Sequence, residues 1–251
     1  MNIELNEKMF EKLPDDEKNS EFIAMESKTF LRDVWDRYKK NKLAMIGLIF
    51  LIIMVVMAIF VPILSKYGFE DQNIALKNAM PSLDHPFGTD KLGRDIFVRV
   101  MYGGRISLSI AFASAFICLI IGVLYGGIAG YVGGKVDMVM MRIVDILDSI
   151  PTLLYVILIL MIFGNTIPAM LFAICFTSWV GMARQVRQQV RSIKEMEFAM
   201  AEKVLGASHK RILINHLIVN AIGPIIVNLT MLVPSAIFTE AFLSFVGIGL
   251  D

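Results

Sequence analysis

Cysteine, histidine and charge are all scarce in this chain, and each scarcity closes off a class of function. The two cysteines, Cys118 and Cys175, lie inside apolar runs with no Cys-x-x-Cys pair and no adjacent histidine, so they read as small packing residues rather than a redox or metal centre. The three histidines, His85, His209 and His216, lack the spacing of a metal site and read as solvated or helix-end side chains. The nearest approach to a nucleotide-binding phosphate loop, Gly134-Lys135, is followed by Val136 where serine or threonine is required, so no cofactor or metal is expected on this chain. Charged residues make up 19% and sum to a net +1, which gives no reason to expect nucleic acid as a partner. The first 42 residues are polar and contain no short apolar leader with a small-residue cleavage site, so the N-terminus is expected to be retained.

What is abundant is apolar side chain: 56% of the residues, with a mean hydropathy of +0.66. Those values point to an integral membrane protein, and the runs along the chain read as an all-α polytopic helix bundle with about five spans. Leu43 to Leu64 is a charge-free run of about 22 residues, roughly 33 Å of helix against a hydrocarbon core of about 30 Å. Arg32, Arg37, Lys39, Lys40 and Lys42 precede it, a basic cluster of the kind retained in the cytoplasm, so residues 1–42 are placed inside and residues 65–105 outside. That outer segment carries Pro81, Pro86 and the turn-rich HPFGTDKLGRD.

From residue 106 the chain reads as a core of further spans. The second span, Ile106 to Gly130, repeats glycine every fourth residue at Gly122, Gly126 and Gly130, with Gly134 just beyond, a smooth strip on which another helix backbone can pack closely. The third begins with Arg142, Asp145 and Asp148 at three-residue spacing, a shared face that either sits at the inner membrane surface or turns into the bundle with its charges paired to one another. Gly164-Asn165-Thr166 turns the chain, and Pro168 opens a fourth span that ends near Ala183. The stretch 184–216 then holds seven lysines and arginines against Glu195, Glu197 and Glu202, the positive excess of a cytoplasmic loop. A last apolar stretch, Leu217 to Leu250, is interrupted by Pro224 and Pro234 and contains one acid, Glu240.

Within the basic stretch, Phe198, Ala201 or Glu202, and Leu205 fall at helical spacing and make an apolar ridge with charged flanks. Gly206 supplies a left-handed stop, and Ser208 stands where a new helix would be capped before it runs through Ile212 and Leu213 toward the membrane. A surface helix joined rigidly to a spanning helix can act as a lever, and it can equally be an interfacial anchor. Geometry alone leaves both open.

The run AMAEKVLGASHKRILINHL resembles the coupling loop of inner-membrane subunits of binding-protein-dependent ABC importers. RYKKNKLAMIGL, HPFGTDKLGRDIFVRVMYGGRISLSIAFAS, RIVDILDSIPTLL and EAFLSFVGIGL resemble, in order, the second permease of the peptide and nickel group, and the likeness runs from about Trp35 to the last residue. The resemblance implies one half of a translocation pathway for di- or oligopeptides, with nickel or another small solute as the alternative. Its implied partners are a second permease subunit, two ATP-binding subunits that carry the ATP and Mg, and an extracytoplasmic substrate-binding protein. It further implies that Glu197, Phe198, Ala201, Glu202, Leu205, Gly206 and Ala207 take the push of the ATPases, and that hydrolysis is not this chain's work. Two departures stand out. Met200, Ala201 and Glu202 occupy the Glu-Ala-Ala positions and Val219 a proline position, and family members continue beyond the GIGL run to one more span, so a sixth helix is expected to be missing after Asp251. A more distant alternative is a secondary transporter with Asp145, Asp148 and Glu240 as relay groups; it would need those acids at mid-membrane.

Overall fold

The computed structural model describes residues 30–249; expectations for residues 1–29 and for the two terminal residues lie outside the described residues. Among the described residues there is no strand, only one antiparallel bridge between Thr89 and Asp95. The chain divides into two units within its second helix, one up to Ile53 and one from Met54 onward.

In the first unit, α1 (Phe30–Lys40) is a short polar helix with Asp33 and Arg37 2.9 Å apart and Lys39 over the Trp35 ring. The helix α2 (Lys42–Leu64) follows after Asn41, whose carboxamide oxygen accepts from the Ala44 amide at 3.1 Å and so supplies a cap. Apolar on every side and with Ala58 as its one buried residue, α2 has the composition of a helix whose solvent is lipid.

The second unit begins with a compact irregular segment from Ser65 to Asp95. It is held by side-chain bonds to backbone: the Thr89 hydroxyl accepts from the Ala79 amide at 2.9 Å and donates to the Leu76 carbonyl, while Asp90 accepts from the Leu92 and Arg94 amides and from the Arg94 guanidinium. His85 is buried here with its Nδ1 2.7 Å from Asp95 Oδ2, and the Tyr67 ring lies against it. This corrects the expectation of a solvated histidine, because Asp95 offers one oxygen to His85 and the other to the Val98 amide as the cap of the next helix.

That helix, α3 (Ile96–Val132), starts ten residues before the apolar stretch, since the cap at Asp95 tolerates Arg99 and Arg105 in the opening turns. Gly133 and Gly134, at φ +72 and +55, turn the chain into α4 (Gly134–Asp148), and α5 (Thr152–Phe163) follows at 75° to α4. The third span is therefore not one continuous helix. Pro151 cannot continue the α4 hydrogen-bond ladder, and α5 alone is about 18 Å long, too short to cross. Gly164, at φ +80, ends α5, and Thr166 with Pro168 opens α6 (Ile167–Lys194).

The α6 helix carries on for about three turns beyond Ala183, through residues that the sequence assigned to a loop. Val186, Val190 and Ile193 recur on one buried face and hold those turns against the bundle, while the arginines take the other faces. Then come α7 (Glu197–Val204), a three-residue turn α8 (His209–Arg211), a π-helical segment Ile212–Ile218 and α9 (Ile222–Val246), which contains Pro234. Among the described residues four helices, α2, α3, α6 and α9, are long and apolar enough to cross a bilayer, and the bent α4–α5 pair taken as one span makes a fifth. The protein is an all-α polytopic membrane helix bundle.

Candidate functional site

The seam between α3 and α6 organises the bundle. A Cβ on Gly122 would meet Met182 Cβ at 2.6 Å, one on Gly126 would overlap the Ala183 carbonyl oxygen, and one on Gly130 would reach the Arg187 carbonyl oxygen at 2.6 Å. All three glycines are buried, so the backbones approach as closely as the missing side chains allow. Gly134 does not join the strip; it belongs to the break before α4, where a Cβ would meet nothing.

Charge sews α4 onto α6. Arg187 grips Asp137 through Nε and Nη2, and Arg184 divides its guanidinium between Asp148 at 2.5 Å and Asp145 at 3.0 Å. The two aspartates singled out from sequence therefore pair with α6, neither with each other nor with Arg142, which is exposed and makes no ion pair among the described residues. On α4 only Asp137 and Val144 are buried, and its other ties are polar: these ion pairs to α6 and the Tyr125 hydroxyl of α3, which donates to the Met140 carbonyl at 2.9 Å. Sequence reasoning missed Asp137, Arg184 and Arg187 as partners. The spacing of the acids at 137, 145 and 148 does not repeat that of the arginines at 184, 187 and 191, so which pairs form is set by how the two helices pack. Asp145, Arg184 and Arg187 line a cavity of about 750 Å³ with Gln188, Arg191 and Glu195.

Glu240 is half-buried on α9; its carboxylate accepts from Ser107 of α3 at 2.7 Å and from Ser244 at 3.3 Å. Gln185 of α6 donates to the Pro224 carbonyl at 2.8 Å and accepts from Asn228, a second polar tie onto α9.

At the end of α6 the chain makes the surface helix α7. Glu197 lies in its first turn, where its charge opposes the positive helix end. Ala199 is buried in an apolar cluster with Val190 and Ile193 of α6 and with Ile212 and Leu217 of the π-helical segment. The opposite side is open: Phe198 and Ala201 are exposed, and Leu205 keeps 83% of its surface. The helix ends in paired reverse bonds, Gly206 N–H to Lys203 O at 3.2 Å and Ala207 N–H to Glu202 O at 3.1 Å, with Gly206 at φ +82. Ser208 Oγ then accepts from the Arg211 amide, and Glu202 lies 3.5 Å from His216 within the π-helical segment. Of the histidines, His209 is exposed at a helix start and bonds Tyr131 Oη at 2.6 Å, and among the described residues no His, Cys, Asp or Glu cluster could hold a metal.

A helix bundle closed along a glycine seam, with several helices long and apolar enough to cross a bilayer, defines a multi-pass membrane protein. The family described as binding-protein-dependent transport system inner membrane component matches residues 119–251, and residues 29–81 match the N-terminal TM domain of oligopeptide transport permease C. The chain is 47% identical over 237 residues to the dipeptide transport system permease protein DppC of Bacillus subtilis, covering 94% of this chain and 74% of that one. It is 45% identical over 242 residues to the oligopeptide transport system permease protein OppC of the same organism, covering 96% and 79%. To OppC of Escherichia coli K12 it is 41% identical over 235 residues, covering 93% and 78%. The chain belongs to the inner-membrane components of binding-protein-dependent transport systems, of the C-type permease kind, and is a multi-pass membrane protein.

Proposed function

We propose that the chain is one of two membrane-spanning subunits of an ATP-driven importer of di- and oligopeptides, and that α7 with Gly206 takes the stroke of the ATPase subunits. Support for the cargo comes from the names of the relatives, all dipeptide or oligopeptide permeases. Support for the stroke comes from one observation: α7 is anchored through Ala199 and capped at Gly206, while Phe198, Ala201 and Leu205 face away from the bundle. A helix held on one side by α6 and the π-helical segment and bare on the other transmits a push on its outer ridge into both spanning helices. Glu197 and Glu202 flank that ridge, and Glu202 lies 3.5 Å from His216 on the segment entering α9.

In this reading a second permease completes the pathway, two ATP-binding subunits hold ATP and Mg, and an extracytoplasmic binding protein delivers the peptide. The basic residues 32–42 and 184–211 face the cytoplasm and the 65–95 segment faces out. Uptake of a labelled dipeptide by proteoliposomes holding the full complex is the test. Uptake that needs ATP on the α7 side and binding protein on the 65–95 side supports it; uptake driven by a proton or sodium gradient alone overturns it. Labelling of a cysteine introduced at Lys39 by a membrane-impermeant reagent on intact cells would overturn the orientation.

A further inference from the structure

Where α3, α6 and α7 meet α8 and the π-helical segment, there is a cavity of about 740 Å³, distinct from the one beside α4. Its charged lining is of one sign: Lys194, Lys203 and Lys210 stand on it with His209 beside them, and no carboxylate does. Tyr131 fixes two of the four: Lys194 Nζ donates to the Tyr131 carbonyl at 2.6 Å, and His209 Nδ1 lies 2.6 Å from Tyr131 Oη. The ammonium groups of Lys203 and Lys210 make no hydrogen bond or ion pair among the described residues, so two charged residues of the lining have no carboxylate partner. The rest of the wall is aliphatic, from Val132, Ile212, Leu213 and Ile214. Val132 and Ile214 are 54% and 45% exposed, open on the side where the bundle meets its surroundings.

This combination selects among ligands. A free phosphate or nucleotide gains nothing from an exposed aliphatic wall, and a neutral lipid gains nothing from the lysines. Depth agrees with a lipid. The unbroken apolar part of α6 ends at Ala183, which faces Gly126 across the glycine seam, and Val132 lies six residues further along α3. At about 1.5 Å per residue that is roughly 9 Å past the hydrocarbon edge, the depth of phospholipid head groups. We propose that this cavity binds an anionic glycerophospholipid, its phosphate between Lys194, Lys203 and Lys210 and the start of an acyl chain along Val132 and Ile214. The lipid bridges α6, α7 and the π-helical segment at the root of α7. The site depends on the chain being embedded in a bilayer and not on what is transported.

The test uses the full complex in nanodiscs of phosphatidylcholine mixed with phosphatidylglycerol, with retained lipid counted by native mass spectrometry. Wild type should keep phosphatidylglycerol in preference to phosphatidylcholine. Lys203→Gln with Lys210→Gln, residues whose ammonium groups hold no other element in place, should weaken retention about 25-fold, roughly fivefold per charge. The double arginine variant should restore retention, since the charge is kept. Equal retention by wild type and the glutamine variant, or no preference for the anionic lipid, overturns the proposal. So does displacement of the lipid by inorganic phosphate, which would make it a soluble-anion site. A photoactivatable phosphatidylglycerol provides a readout on wild type alone: crosslinks at Val132 or Ile214 support the site, and crosslinks confined to other helices overturn it.

Discussion

Arg187 on α6 holds the Asp137 carboxylate through two nitrogens, and the same Arg187 presents its backbone carbonyl to Gly130 of α3. One residue therefore joins three helices, its side chain pinning α4 and its backbone closing the glycine seam. Arg187→Gln should leave the seam and free α4. A two-bond pair between charged, partly buried groups suggests a loss on the order of 2 to 3 kcal/mol. Hydrogen exchange should show it as faster exchange confined to residues 134–148. Exchange at the wild-type rate there would mean that other contacts hold α4. A double-mutant cycle with Asp137→Asn should give a coupling well above that of Arg184 with Asp145, which is about half exposed.

Gly126→Ala should force α3 and α6 apart, because its new Cβ overlaps the Ala183 carbonyl oxygen, which is backbone and cannot step aside. The expected cost is about 1 to 3 kcal/mol, read as a lower midpoint in detergent unfolding. Gly127→Ala is the control. Its Cβ meets Leu213 Cδ1 at 3.7 Å and Ile218 Cδ1 at 3.8 Å, ordinary contacts, so its midpoint should hardly move.

Gly206→Val places a β-branched residue at φ +82, a conformation that costs an L-residue about 1 to 2 kcal/mol and undoes the reverse bonds that end α7. Peptide uptake should fall by tenfold or more while the subunit still inserts and still pulls down its ATPases. Gly206→Asn, which tolerates a left-handed backbone, should recover much of the loss. Uptake at the wild-type rate by an assembled Gly206→Val complex would sink the lever.

Acid should loosen the 65–95 segment late. Partial burial pushes the Asp90 carboxyl up, but the Arg94 and Leu92 amides together with the Arg94 guanidinium outweigh it and hold the group at about 2 instead of the usual 3.8. The depressed value means that the folded segment prefers the ionised form. Its contribution is complete above about pH 4 and is lost as pH falls through about 2. Protection of the Leu92 and Arg94 amides, followed by exchange at matched pH, should begin to fall below about pH 4 and be lost by about pH 2. In Asp90→Asn that step should disappear.

Much of this architecture was legible because its causes are local. A glycine every fourth residue makes a smooth helix face whatever lies opposite, and Gly206 followed by Ser208 encodes a stop and a cap within three residues. What could not be read was set by partners distant in sequence. Asp145 and Asp148 gave no sign that Arg184, on another helix, would take both of them. The continuation of α6 past Ala183 was hidden because its arginines outnumber the valines that bury it. His85 looked like a solvated loop residue because nothing in the sequence announces that Asp95 would cap a helix and bind a histidine at once. The π-helical segment left no composition of its own: Ile212 to Ile218 reads as ordinary apolar helix, and its packing with Val190, Ile193 and Ala199 involves partners outside the segment.

The glycine strip also sets an order of events during synthesis. About 60 residues separate each glycine from its counterpart on α6, so at roughly 5 to 20 residues per second α3 waits in the bilayer for several seconds before the surface that fits it exists. For that interval Gly122, Gly126 and Gly130 form an open groove with backbone within easy reach. A helix of another subunit made beside it could fill the groove first, so the timing of translation bears on which helices become neighbours.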